Sequence, residues 1–130
     1  MKKKEELRKK KEIKLILVGE AGVGKTCIIY RYINDRFNED TINTITASSE
    51  KKLITLNDKN NTRVEVEFDI WDTCGQEKFR NLVNIFFKDA KAAILVYDST
   101  SIRTFNQIKD FWYNKVKECA PEDLGNYTNI

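Results

Sequence analysis

The sequence predicts an α/β fold in which an open, mostly parallel sheet carries one antiparallel hairpin at its edge. Short apolar runs at residues 13–18 and 92–97 have the length and composition of strands buried in a parallel sheet. Between them the hydrophobic period changes, from a helical face after Lys25 to strict alternation over residues 64–71. Strands that alternate with helices in this way stack as a sheet covered by helices.

Taken in order, residues 1–11 hold seven Lys or Arg against two acids, a local charge of +5. The net charge of +3 therefore belongs to this leader, and the remainder sums to about −2. We read residues 1–12 as a solvated, disordered basic tail rather than a nuclear-import or membrane patch, and residues 13–130 as a partial domain. The run I-K-L-I-L-V (13–18) reads as a buried strand ending at Gly19. A helix follows from Lys25, with Ile28, Ile29, Tyr32 and Ile33 on one face. Residues 35–49 are polar and aperiodic, a long loop of the kind that is usually functional. Strands at 52–56 and 64–71 flank the turn-rich N-D-K-N-N. In the second, Val64, Val66, Phe68 and Ile70 alternate with Glu65, Glu67 and Asp69, which predicts a hairpin with one solvated side. A loop and short helix cover 76–87. The run A-A-I-L-V-Y (92–97) reads as a strand buried on both faces. Last comes a helix over 102–119, with Phe105, Ile108, Trp112 and Val116 in register and Ser101 as its N-cap.

Composition removes whole classes of chemistry. The longest apolar run is six residues, too short to cross a bilayer, and the N-terminus lacks the apolar stretch of a secretory leader. There is no histidine, so no Ser-His-Asp or Cys-His nucleophile is available. Cys27, Cys74 and Cys119 are widely spaced and odd in number, which suits neither a four-ligand zinc site nor a disulfide framework. Lys, Thr, Asp, Gln and backbone groups remain, a set suited to phosphate chemistry. Four of the five glycines fall in two short stretches, Gly19, Gly22 and Gly24, then Gly75. Such a concentration marks loops shaped around a ligand.

The first stretch, G-E-A-G-V-G-K-T (19–26), fits the phosphate-loop pattern G-x-x-x-x-G-K-[ST] between a strand and a helix. Its backbone N–H groups would converge on phosphates at the positive end of the helix dipole. Lys25 would reach the β- and γ-phosphates, and Thr26 would offer its hydroxyl to Mg2+. The second stretch, D-T-C-G-Q (72–76), closes the alternating strand. Asp72 there suits outer-sphere Mg2+ binding, the Gly75 N–H suits a γ-phosphate, and the Gln76 amide can orient a water.

These strings resemble the small GTPases of the Ras-like superfamily. Thr44 stands nineteen residues after Lys25, and F-D-I-W-D-T-C-G-Q-E-K-F, F-F-K-D-A and L-V-Y-D-S-T are similar to strings of the Rab branch. The resemblance runs from Ile13 to about Ile130. It implies a Ras-like P-loop fold that binds GTP or GDP with Mg2+ and hydrolyses GTP in vesicle trafficking. It implies nucleotide contacts from Gly19, Ala21, Gly22, Val23, Gly24, Lys25, Thr26, Cys27, Phe37, Thr44 and Gly75, with Phe37 against the guanine ring. Mg2+ would be held by Thr26 and Thr44 and, through water, by Asp72. Gln76 and Lys25 would be the catalytic pair. An exchange factor, a GTPase-activating protein and an effector would engage residues 37–50 and 72–87; no nucleic acid is expected. The chain would be cytoplasmic, reaching vesicle surfaces only as a longer prenylated form.

The departures are specific. The usual Ile-Gly after the switch threonine and the aromatic beyond it are replaced by I-T-A-S-S, so Trp71 and Phe86 alone match the three aromatics that Rab proteins turn to partners. Ala21 replaces a common Gly or Ser, a change expected to slow hydrolysis, and Cys74 a common Ala. The N-K-x-D guanine signature and prenylated cysteines do not occur in the 130 residues. The expectation is thus a Ras-like domain lacking the C-terminal strands and helices, with no lipid anchor. Two alternatives stand beside the switch: a fragment that holds no nucleotide and does no catalysis, and a P-loop ATPase.

Overall fold

The computed structural model describes residues 10–40, 48–73 and 83–119. In chain order they form β1 (Lys10–Val18), α1 (Lys25–Asn34), β2 (Ser48–Asn57), β3 (Arg63–Asp72), α2 (Val83–Phe87) and β4 (Ala92–Leu95). A final helix begins as α3 (Ile102–Gln107), widens through a π turn (Ile108–Trp112) and ends as α4 (Tyr113–Cys119). The strands lie in the order β2-β3-β1-β4. β1 is parallel to both neighbours, and β2 is antiparallel to β3. This is the mostly parallel sheet with one hairpin edge that the sequence predicts. Among the described residues no helix is long and apolar enough to cross a membrane.

β1 is central, and both of its faces are covered. Leu17 packs on one face with Ile29 of α1, Ile70 of β3 and Val96. Ile16 and Val18 pack on the other with Phe87, Ile108 and Trp112. A continuous apolar run is what such a strand requires, since successive side chains enter different cores. Each fully buried side chain of this kind contributes about 1.5–3 kcal/mol. The two cores fix helices on opposite faces of one sheet.

Several expectations needed correction. β1 starts at Lys10, inside the segment assigned to the basic tail, because long β3 offers Glu65, Val66 and Glu67 as partners for Lys10, Lys11 and Glu12. β2 likewise starts at Ser48, inside the expected loop, opposite Asp72. On α1 the buried residues are Lys25 and Ile29, while Ile28 and Tyr32 are exposed. The helix lies over β3 and β2. Its inward stripe therefore runs along the 25, 29, 33 row, and the Tyr32 ring is covered by the Lys52 ammonium, 5.0 Å away.

β4 is shorter than the apolar run and is not buried on both faces. It shares the α1 face through Ile94, yet α1 does not reach that far, and Ile94 remains 43% exposed. The acidic side of β3 is half-buried rather than solvated. Ser101 takes the N-cap position of α3 in extended geometry, but its side chain makes no cap bond. The turn is held instead by Thr104, whose hydroxyl donates to the Ser101 carbonyl at 2.8 Å and accepts the Asp98 N–H at 3.0 Å.

On the polar side of the sheet Glu67 lies 3.0 Å from Lys10 and 3.4 Å from Lys51, which also reaches Glu12 at 2.8 Å. The Lys10 hydrogen bond, aided by Lys51, holds the Glu67 carboxyl below the usual glutamate range. Folding thus lowers this pKa, so the unfolded chain binds the proton more readily. The stabilisation is complete above the ordinary glutamate range and is lost as pH falls through it toward the folded value. Melting curves of wild type and Glu67→Gln should differ by a constant amount near neutral pH and converge in acid. A gap that persists below the glutamate range would contradict the pairing.

Candidate functional site

Residues 19–24 join the end of β1 to the start of α1, with a glycine of positive φ at each end. A Cβ on Gly19, where φ is +152°, would lie 2.2 Å from the Val96 carbonyl oxygen. The Val96 N–H meanwhile donates to the Val18 carbonyl at 2.8 Å, so the chain after β4 is closed against the loop's first residue. At the other end Gly24 (φ 100°, ψ 18°) is the N-cap of α1, a left-handed conformation that costs glycine little. Its carbonyl accepts the first helical bond, from the Ile28 N–H at 2.9 Å.

Lys25 is buried and turns back beneath its own loop. Its ammonium donates to the carbonyls of Gly19 at 2.9 Å and Glu20 at 2.8 Å. Burying an ammonium is costly unless such acceptors surround it, so these carbonyls stabilise the loop's path and the lysine together. Ala21 and Gly22 are exposed at the tip, and Val23 packs against the core under α1.

The second half of the site comes from β3. Parallel pairing sets Leu17 opposite Asp72, and the buried Thr73 hydroxyl donates to the Leu17 carbonyl at 2.6 Å. Asp72 is therefore delivered to the loop's end of the sheet. There its Oδ2 accepts a bond from the Thr26 hydroxyl at 2.5 Å, across 46 positions of sequence. Two hard oxygens side by side fit a Mg2+ ion that takes its other ligands from phosphate and water. Among the described residues no three His, Cys, Asp or Glu gather as a group that could hold a metal ion.

The structure thus brings together Gly19, Ala21, Gly22, Val23, Gly24, Lys25, Thr26, Cys27 and Asp72. Phe37, just beyond the α1 cap, is 63% exposed. Thr44, Gly75 and Gln76 lie outside the described residues. Trp71 and Phe86 stand with ring centroids 6.2 Å apart, and the Lys14 ammonium sits 4.6 Å from the Trp71 ring. Three residues that the sequence did not mark also belong here. Glu20 is buried at 4% exposure; its Oε1 accepts the Trp112 indole N–H at 3.1 Å and its Oε2 lies 3.6 Å from Arg103 Nη1. A charged residue between two loop glycines was the one available signal, and nothing in the spacing named its partners.

A family model described as the Roc (Ras of Complex) domain of DAPkinase matches residues 14–125. The chain belongs to the Ras-like GTPase domains. Its similarity to curated relatives is of Rab type. It is 39% identical over 111 residues to Ras-related protein SEC4 of Saccharomyces cerevisiae, covering 85% of this chain and 49% of that protein. Over the same length it is 40% identical to Ras-related protein Rab-10 of Caenorhabditis elegans, with 85% and 52% covered. For human Ras-related protein Rab-8B the identity is 38%, with 85% and 51% covered. The chain spans about half the length of the curated relatives it matches.

The contact at Gly19 is directly testable. A Gly19→Ala methyl must displace backbone rather than a flexible side chain. Overpacking of this kind costs about 1–3 kcal/mol. Urea unfolding of Gly19→Ala should show a free energy lower by that amount, read as a lower midpoint with an unchanged slope. A midpoint equal to wild type would mean the loop does not press on Val96.

Proposed function

We propose that this Ras-like domain binds a guanine nucleotide through residues 19–26 and acts with Mg2+ as a Rab-like switch in vesicle trafficking, hydrolysing GTP to GDP. The observation that carries the reading is the convergence of Lys25, Thr26 and Asp72 where the loop meets the ends of β1 and β3. Lys25 is anchored at its backbone by the first turn of α1, so its ammonium can exchange loop carbonyls for phosphate oxygens without moving the helix. The Thr26 hydroxyl already donates to Asp72 Oδ2, so the two oxygens lie side by side. Mg2+, when bound, neutralises charge that develops on the phosphates.

By the family resemblance, Thr44 completes the ion's ligands, Phe37 flanks the guanine, Gly75 holds the γ-phosphate and Gln76 orients the attacking water. The γ-phosphate would then order residues 37–50 and 72–87, and hydrolysis would release them. Those segments would meet the exchange factor, the GTPase-activating protein and the effector. Trp71, one residue before the second segment, pairs with Phe86 within it and offers an aromatic contact for the effector. An arginine supplied by the activating protein would raise hydrolysis by about 10³–10⁵.

Titration of the 130-residue chain with fluorescent GTP and Mg2+ tests the reading, with submicromolar binding expected. Lys25→Ala should weaken that binding roughly 10- to 100-fold, the value of hydrogen bonds to a charged group. Equal competition by ATP would transfer the site to adenine nucleotides, and no saturable binding would remove the proposal. Where GTP binds, Gln76→Leu should suppress single-turnover hydrolysis while leaving affinity within about twofold. Hydrolysis at the wild-type rate would remove Gln76 from the mechanism.

A further inference from the structure

Glu20 is held from two directions that the phosphate site alone does not explain. Its backbone carbonyl takes one bond from Lys25, at 2.8 Å. Its side chain points the other way, under the sheet, to the wholly buried Trp112 and to Arg103. A carboxylate this buried requires such partners, and an indole N–H sealed in a core requires an acceptor. The two demands are met in one contact across 92 positions of sequence.

The helix is shaped to make that contact. Thr104, Ile108 and Trp112 face inward at spacings of four. In a regular α-helix each such step drifts by about 40° around the axis. The π turn over Ile108–Trp112 is wider and takes back part of the drift, which keeps Trp112 aimed at the loop. Arg103 is the second residue of α3, its side chain 69% exposed, so it approaches Glu20 Oε2 from solvent.

We propose that Trp112 and Arg103 are positioning residues for the phosphate loop, acting through Glu20. While Lys25 is bonded to the Gly19 and Glu20 carbonyls, the loop is tied from within. When the ammonium turns to a phosphate those ties are given up, and the Glu20 side chain then anchors the loop to α3 and the π turn. Retention of nucleotide would depend on this outer anchor. The inference rests on the phosphate-site reading for its consequence, but the anchor itself exists without nucleotide.

The test is hydrogen exchange of the nucleotide-free 130-residue chain, followed by mass spectrometry of peptides covering residues 19–26. Trp112→Phe removes the donor and Glu20→Ala the acceptor. Each should speed exchange of the loop amides about tenfold, the loss expected for one charge-assisted hydrogen bond, with β1 and β3 peptides unchanged. Because Glu20→Ala already loses the indole bond together with the Arg103 pair, the double variant should exchange no faster than Glu20→Ala alone. Glu20→Gln, which keeps an acceptor for the indole, should restore most of the protection, and Arg103→Met should raise exchange only two- to threefold. Loop exchange that is unchanged, that rises equally in β1 and β3, or that adds across the double variant would overturn the proposal. Should Trp112→Phe fail to fold, the Glu20→Ala and Glu20→Gln pair decides alone. Release of fluorescent GDP should accelerate about tenfold in the same two singles. A chain that binds no GTP would remove the phosphate reading and leave the exchange result standing.

Discussion

Leu17, Val18 and Gly19 have to satisfy three neighbours at once. The Leu17 carbonyl accepts the Thr73 hydroxyl from the end of β3, and the Val18 carbonyl accepts the Val96 N–H from the end of β4. Gly19 then passes so close to the Val96 carbonyl that no side chain fits. At the same time Leu17 and Val18 project into opposite cores, so neither can rotate without emptying one of them. Cavities of that size typically cost 2–5 kcal/mol. The loop's starting point is therefore set by packing on both faces of the sheet as well as by hydrogen bonds along its edge. Asp72, opposite Leu17 in the same register, is fixed by the same constraint.

What could be read from the sequence followed how local each interaction is. The phosphate loop occupies eight consecutive residues between a strand and a helix, and it announced itself. The alternation of Val64, Val66, Phe68 and Ile70 likewise fixed which side of β3 meets α1. Residues 92–97 are less buried than their apolarity suggests, because a continuous apolar run looks alike in a central strand and in one whose outer half no helix covers. On α1, Ile28 and Tyr32 look inward-facing by apolarity alone, which cannot reveal that the buried position of the first turn is a lysine. Charges at Lys10 and Glu12 resembled a tail until β3 supplied Glu65 and Glu67 opposite them. The Glu20–Trp112 contact had no local signal at all.

Charges at the two ends of the sheet do different work because water reaches them differently. Around Lys10, Lys51, Glu12 and Glu67 most of the side chains are open to solvent, and such pairs contribute little each. Around Lys25, Glu20 and Asp72 nearly all side-chain surface is withdrawn from water. A buried ion of this kind is tolerated only with full hydrogen bonding, and losing one partner is expensive. The exposed cluster can tune the pH response of the fold, whereas the buried one constrains a shape.

That this shape forms at one end of the sheet follows from strand direction. β1 and β3 run parallel, so their C-terminal ends lie side by side and the loops that leave them share one rim. In open α/β sheets this is the rim where ligands bind. β2 runs the opposite way, and Ser48, its first residue, pairs with Asp72 at the same rim. Three strand ends therefore share that rim: the end of β1, the end of β3 and the start of β2. The sequence places Gly19 to Thr26 after the first, Gly75 and Gln76 after the second, and Thr44 just before the third. One antiparallel hairpin beside one parallel pair is sufficient to bring the ends of β1 and β3 and the start of β2 to one rim, and an all-parallel or all-antiparallel arrangement of the same three strands would send at least one of them to the far end.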